Sequence, residues 1–447
     1  MPMNRLVWFV SSLLVALTIS PSFAQKEKNK LTAPQPPEPV APTPYTGVRR
    51  ENLLNGLQIS TLEVSSEKNI VCELVVRGGS AYDLVGRSGL AMLTASTLLA
   101  TDPNLDSAIA SYDAKLDWGV TKDTTWFRIE APAQYLEGVL DRLARSLVKE
   151  AIYPDIFKTG QQNLLAKLKS LSPGPAKIAD DAFYASLYGD FPYGRVSEGT
   201  PAGVSAAKIG DVIDFYNRVY VANNIFAVVH GNLKHEQIMS LFRVKFGGWV
   251  KGVVPSPTFR PPARVTEVKV KALEDKGVAE AEIRGGILGV SHTDPDFITT
   301  LVLARVLDKR LKATFPSASA TFASNTLPGP FYFSATAPAA IAQDLSRRMS
   351  DIFATLNTQE FSELEVAQAQ SGIVKDHQAR SVPSYLVEIG TFKLPETYPL
   401  VFESRVKAVT TFDLQRVAKR LLEANAITLT VFGNVNADGK APSQSGF

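Results

Sequence analysis

Cysteine is almost missing from this chain: there is one, Cys72, in 447 residues. A lone cysteine closes no internal disulfide, and without a histidine beside it in the sequence it is a poor nucleophile. Its place in the apolar run Ile70-Val71-Cys72-Glu73-Leu74-Val75 reads as a buried strand position. Charge of one sign is also scarce. The formal net charge is +3 and no Lys/Arg run stands out, which argues against a nucleic-acid footprint or a binder of acidic membranes. The N-terminal apolar run from Leu6 to Ile19 falls short of the ~20 residues of a membrane span. It follows Arg5 and leads into Ser22-Phe23-Ala24, so residues 1–24 read as a secretory signal with the mature chain starting near Gln25, a membrane anchor being the alternative. No cysteine follows that expected cut, which argues against a lipoprotein. Export without disulfides fits a periplasmic protein stabilised by a large core.

What is present is an ordinary globular composition, 45% hydrophobic and 20% charged, in a length suited to two domains of roughly 200 residues. Two proline clusters divide it. Residues 25–45 carry Pro34, Pro36, Pro37, Pro39, Pro42 and Pro44 and read as an extended tether. Pro255, Pro257, Pro261 and Pro262 mark a linker over 251–264. The expected domains are therefore 46–250 and 265–437, with a tail over 438–447.

The two domains repeat each other. At a constant offset of 202, Asp211 falls on Asp413, Arg218 on Arg420, Ala222 on Ala424, Asn223 on Asn425 and Ile225 on Ile427. Val229, Gly231 and Asn232 likewise meet Val431, Gly433 and Asn434. Each copy reads as an amphipathic helix, an Ala-Asn turn, an apolar strand and a Gly-Asn stop, which points to a duplicated domain. The copies also open alike. A hairpin signal at Asn55-Gly56 precedes a strand over Ile70–Val76 ending in Arg77-Gly78-Gly79, then a helix from Gly89 to Ala100. In the second copy a strand from Ala279 to Ile283 ends in Arg284-Gly285-Gly286, and a helix follows from about Asp296 to Leu311. The fold expected is α+β: two tandem homologous domains, each a mostly antiparallel sheet covered by helices.

Several segments together resemble the pitrilysin/insulinase metallopeptidase family. They are the Asn-Gly-Leu strand start, Gly89-Leu90-Ala91, Leu187-Tyr188-Gly189-Asp190-Phe191-Pro192-Tyr193-Gly194, Glu198-Gly199-Thr200, and Phe215-Tyr216 ahead of Ala222-Asn223-Asn224. The likeness runs from about residue 46 to 436. Active members carry an inverted zinc motif, His-x-x-Glu-His, after Gly-Leu-Ala. Two histidines one helical turn apart hold Zn²⁺, and the glutamate is the general base. Here Met92 takes the first His position, Ala95 the Glu and Ser96 the second His. The third ligand, a Glu on a later helix, falls on Lys167 in Gln161-Gln162-Asn163-Leu164-Leu165-Ala166-Lys167-Leu168. A thioether, a neutral hydroxyl and a methyl are poor or no ligands for zinc, and a cation repels it. The family's Arg/Tyr pair that holds the substrate carbonyl falls on Asp308 and Phe315 when read without gaps, or leaves Arg310 in register with a different arginine.

The other candidates are weaker. His230 and His235 read as a surface pair rather than a metal site, while His292 in a Ser-His-Thr-Asp turn and His377 on a polar helix show no partner. Ser96 has no nucleophile elbow or paired histidine. Glu360 to Gln378 reads as a solvated helix face, and Met92, Leu93, Leu98 and Leu99 as apolar repacking of a former metal site. No catalytic residue, metal or cofactor is expected. The resemblance implies a catalytically silent subunit that pairs with a zinc-bearing sister to form a peptide-degrading chamber, with a homodimeric or stand-alone peptide-binding or scaffold protein as the alternative.

Overall fold

The structure is a computed structural model that describes residues 47–256, 259, 262, 266–422 and 426–435. The expected signal, most of the tether, parts of the linker and the tail lie outside the described residues. Every described residue belongs to one compact unit.

The first half of that unit runs β1 (Val48–Asn52), β2 (Gln58–Glu63), β3 (Asn69–Val76), α1 (Leu90–Leu99), α2 (Leu105–Ser111), β4 (Lys115–Val120) and β5 (Thr125–Pro132). Then come α3 (Leu136–Leu147), α4 (Pro154–Ser170), α5 (Pro175–Tyr188), α6 (Pro201–Ala206), α7 (Ile209–Val219), β6 (Ile225–Gly231) and α8 (His235–Phe246). The second half runs β7 (Lys269–Glu274), β8 (Glu280–Leu288), α9 (Phe297–Thr314), β9 (Ser319–Phe322), β10 (Pro330–Pro338) and α10 (Ala339–Thr358). It closes with α11 (Glu363–Gln378), α12 (Val382–Phe392), α13 (Tyr398–Lys407), α14 (Thr411–Leu421) and β11 (Thr428–Gly433). Among the described residues no helix is long and apolar enough to cross a membrane.

Two sheets share a five-strand topology, to which the first adds β1 at its edge. The first has strand order β1-β2-β6-β3-β5-β4 and the second β7-β11-β8-β10-β9. Only one pairing in each sheet is parallel, β2 with β6 and β7 with β11. The expected repeat is visible in detail: α7 and α14 start and stop 202 residues apart. Asp211 Oδ2 accepts from the backbone N–H of Lys208 at 2.9 Å, and Asp413 Oδ2 from that of Thr410 at 2.9 Å. Such bonds satisfy donors left open at a helix start. Gly231 (φ 133°) and Gly433 (φ 143°) end the two strands in a conformation that side chains resist.

One face of each sheet is covered by its own helices. On β3 and β5, Ile70, Cys72, Leu74, Phe127 and Ile129 are buried against α1, α3 and α7. Alternation along the strand puts Glu73, Val75, Trp126 and Arg128 on the opposite face. That second face is covered by the other half. α12 packs on β6, with Leu386 buried among Val75, Phe226 and Val228, while α5 packs on β8 and β11. The Arg-Gly-Gly arginines tie these exchanged helices down: Arg77 Nε donates to Gly390 O at 2.6 Å and Arg284 Nε to Asp180 Oδ1 at 2.5 Å. The second Arg-Gly-Gly lies inside β8 and does not end it, because β10 continues to pair with it as far as Leu288.

Candidate functional site

α1 is the element on which the family's metal motif would sit. All ten of its residues are buried, so no face of it meets solvent. Its N-terminus has no side-chain cap of its own, since Gly89 stands there with φ 98°. Asp83 replaces the cap from six residues upstream: its carboxylate accepts from Gly89 N–H at 2.6 Å and Ala91 N–H at 2.8 Å. Burial lifts this carboxyl to a pKa of about 7 in spite of those bonds.

The far end of α1 crosses α4 at a glycine. A Cβ on Gly160 would lie 2.5 Å from Thr97 Cα and 2.7 Å from Thr97 N, so only glycine permits this approach. The contact brings Ser96 Oγ to Gly160 O, to which it donates at 2.8 Å. Met92 and Ala95 are buried in the apolar cluster with Leu93 and Leu98. Lys167, by contrast, is exposed, with Nζ 4.5 Å from the centre of the Trp118 ring. These residues do not fit a zinc ion. The one hydroxyl is committed to a carbonyl, the thioether lies in an apolar cluster, and the ammonium rests on an indole. Among the described residues no three His, Cys, Asp or Glu side chains gather as a metal set.

The second half places Asp308 and Phe315 apart from any clamp. Asp308 is buried, accepting from Lys312 Nζ at 2.9 Å and the Ala320 N–H at 3.0 Å. Phe315 carries the Arg348 guanidinium 4.8 Å above its ring. Arg310 forms a two-pronged pair with Glu365, at 2.6 and 3.0 Å, and stacks on Phe361. Its side chain is thus a strut between α9 and α11. A cavity of 460 Å³ opens along another face of α9, lined among others by Arg305, Asp308, Lys312, Thr321 and Asp376. Its charges are paired, Arg305 with Asp376 and Lys312 with Asp308 inside it, and Arg380 with Glu388 outside the lining.

Four histidine expectations need correction. His235 belongs to no surface pair: it is buried, with Nδ1 2.7 Å from Thr61 Oγ1, while His230 Nδ1 meets Glu67 at 2.9 Å. His377 is buried too, hydrogen-bonding the Tyr385 hydroxyl and Pro399 O. His292 stacks on Phe392 at 4.0 Å between centroids and meets Ser324 Oγ at 2.5 Å; burial holds its pKa down near 4. The segment containing His377 is no solvated face either, since α11 buries Val366, Ala369 and Val374 against α9 and α13. The partners lie away from each histidine in the sequence, Thr61, Glu67, Phe392 and Pro399 among them, so none of these sites had a local signal. Cys72 is buried as expected, and burial pushes its thiol up to about 12.

Sequence reading also missed a pair of glutamines. Gln161 Nε2 on α4 donates to the carbonyls of Val204 (2.9 Å) and Ala207 (3.4 Å), at the end of α6. Gln370 on α11 donates to those of Val406 (3.0 Å), Lys407 (3.2 Å) and Val409 (2.8 Å), at the end of α13. The two are the same device in both halves, capping open carbonyls at a helix end.

Comparison with known proteins places this geometry. The family described as peptidase M16 inactive domain matches residues 207–373. An uncharacterized zinc protease of Mycobacterium leprae is 25% identical over 250 residues, 55% of this chain and 56% of that protein. The mitochondrial-processing peptidase subunit beta of Rattus norvegicus is 22% identical over 258 residues, 56% of this chain and 52% of that one. The chain thus spans about half the length of the curated relatives it matches. The crystal structure of a peptidase M16 inactive domain from Pseudomonas fluorescens superimposes with a TM-score of 0.74, covering 86% of this chain and 97% of that one at 17% identity.

Proposed function

For a chain that belongs to the peptidase M16 family, the pitrilysin/insulinase lineage, we propose the role of a catalytically silent subunit that pairs with a zinc-bearing sister. The observation that carries this reading is the packing at the α1–α4 crossing. Where the family holds metal, Met92 and Ala95 lie in the core and the Ser96 hydroxyl bonds the Gly160 carbonyl. The fold is retained while the chemistry is removed, which fits selection for a surface or a wall. In this reading the protein is exported to a periplasm by residues 1–24, and its sister supplies Zn²⁺, the general base and the cleavage step. This chain supplies peptide-binding wall and stability.

The test is the native mass of the complex recovered from the cell envelope through a C-terminal tag. A stoichiometric companion of similar size with bound zinc, and peptide cleavage by the pair alone, is the expected result. Recovery as a monomer or homodimer without zinc overturns the pairing. A stand-alone peptide-binding role is the second reading, favoured by the 740 Å³ cleft between sheet residues such as Trp126 and Arg128 and α12 residues such as Ser384 and Glu388.

A further inference from the structure

The repeated Arg-Gly-Gly segments create an unequal pair. In the second half Arg284 is buried and surrounded by acceptors: Asp180 Oδ1 at 2.5 Å, Glu282 Oε2 at 3.0 Å and Ala176 O at 3.3 Å. Arg77 opens the matching Arg-Gly-Gly of the first half, 284 − 77 = 207 residues earlier, but it stands just past the end of β3 whereas Arg284 lies inside β8. The exchanged helices keep that spacing, since α12 begins at Val382 and α5 at Pro175, 382 − 175 = 207. In sequence, Val75 stands two residues before Arg77 where Glu282 stands two before Arg284. Arg77, unlike Arg284, has no carboxylate partner among the described residues.

Its remaining contacts are one hydrogen bond from Nε to Gly390 O and stacking over Phe226 at 4.7 Å. Among the described residues it forms no ion pair. A cavity of 220 Å³ opens beside it, lined by Arg77, Lys393, Asn224, Thr293, Thr326 and Asp123 among others. Lys393 also has no ion pair among the described residues, and burial together with Arg77 lowers its pKa. Burial, then Arg50, holds the Arg77 guanidinium down to about 10. Arg50 itself is balanced by Glu396 at 2.8 Å.

The groups opposing this charge are weaker than the charge itself. The C-terminus of α12 supplies roughly half a negative charge, and Arg77 Nε already occupies one of its carbonyls. Asp123 is engaged by the Tyr193 hydroxyl and by the Thr326 N–H at 2.9 Å, and burial raises its pKa. Two cations facing half a charge and one committed carboxyl leave the recess positive.

We propose that this recess binds an oxyanion, a carboxylate or a phosphate, which gives Arg77 the partner that Asp180 and Glu282 give Arg284. Arg77 follows β3 of the first half and Lys393 ends α12 of the second, so the bound anion latches the two halves together. The volume of the recess admits a phosphate group or a short carboxylate.

The experiment is a thermal melt of the full chain titrated with sodium phosphate or succinate against sodium chloride of equal ionic strength. Wild type is expected to gain several degrees with millimolar oxyanion and none with chloride. Lys393 sits at φ 53°, where glycine is preferred, so Lys393→Gly removes the cation while relieving the backbone. That variant should melt no lower than wild type in chloride yet need at least tenfold more oxyanion for the same shift. Arg77→Gln should lose the response. A response to phosphate alone assigns the recess to phosphate groups, and one to succinate alone to carboxylates. A shift equal to that in chloride, or one unchanged in Lys393→Gly and Arg77→Gln, overturns the proposal.

Discussion

The crossing of α1 with α4 and that of α9 with α11 occupy the same place in the two halves, yet they are built in opposite ways. The first is dry: a glycine lets the backbones touch, and Met92 and Ala95 on α1 are packed into the core. The second has Ala369 just before Gln370, where the first has Gly160 just before Gln161. It is held by Arg310–Glu365 and by the Arg305–Asp376 pair at the rim of an open cavity. The first half therefore closes its two helices on each other by shape alone. The half with a charged seam keeps its space by pairing each charge. Apolar closure depends on shape and charged bracing on partners, so each is broken by a different substitution.

Shape predicts the largest effect. Gly160→Leu should destabilise by about 3 kcal/mol or more, because the obstruction is the Thr97 backbone rather than a side chain that can turn away. Ala369→Gly, the reciprocal change, should cost only about 1 kcal/mol. Urea unfolding of both variants checks this, and similar losses would show that the two seams are built alike. Charge predicts the next: Glu365→Ala leaves Arg310 largely buried without its two-pronged partner and should cost about 3 kcal/mol. If the loss stays under about 1 kcal/mol, the pair is ornament and the bracing argument fails.

The loops leading into α1 and α9 differ in their response to pH. Asp83 has its pKa raised in the fold, from 3.8 to about 7, so its contribution is present at low pH and is lost as pH rises between those values. His292 has its pKa lowered from 6.5 to about 4, so its contribution is present above pH 6.5 and lost as pH falls towards 4. Stability profiles of His292→Phe and Asp83→Asn should flatten opposite limbs, each by about 2 kcal/mol after partial relaxation of the site. Parallel changes in the two variants would contradict these assignments.

The duplicated glutamines predict a smaller, matched pair. Gln161→Ala and Gln370→Ala each strip hydrogen bonds from the end of a helix and should cost about 1 kcal/mol, with Gln370 the larger since it serves three carbonyls. Equal urea midpoints for wild type and both variants would mean that water replaces the amides without loss.

Much of the duplication was legible because it is local. Asp211 and Asp413 cap their helices through neighbours three residues away, and Gly231 and Gly433 are needed by their own φ. The apolar fate of Met92 could be read from its type. What stayed hidden were long-range partners: Ser96 with Gly160, Gln161 with Val204, and His292 with Phe392. A sequence names the group that needs a partner but not the one that folding delivers. His377 illustrates this, since charged neighbours mask the Tyr385 and Pro399 contacts that bury it.

Lys167 gives the smallest effect and the sharpest use of the comparison. Its ammonium lies over Trp118 at the surface, so Lys167→Ala should cost about 0.5 kcal/mol, the value of an exposed cation–π contact. Its charge is therefore not what holds α1 and α4 together. Lys167→Glu would supply the residue type that the family resemblance implies for a third ligand, but Met92, Ala95 and Ser96 would still offer a thioether, a methyl and a hydroxyl bonded to Gly160. Calorimetric titration with Zn²⁺ should give that variant no more heat than wild type. If the single change created a stoichiometric zinc site, α1 would have to open, and the dry seam would be a resting state rather than a fixed one.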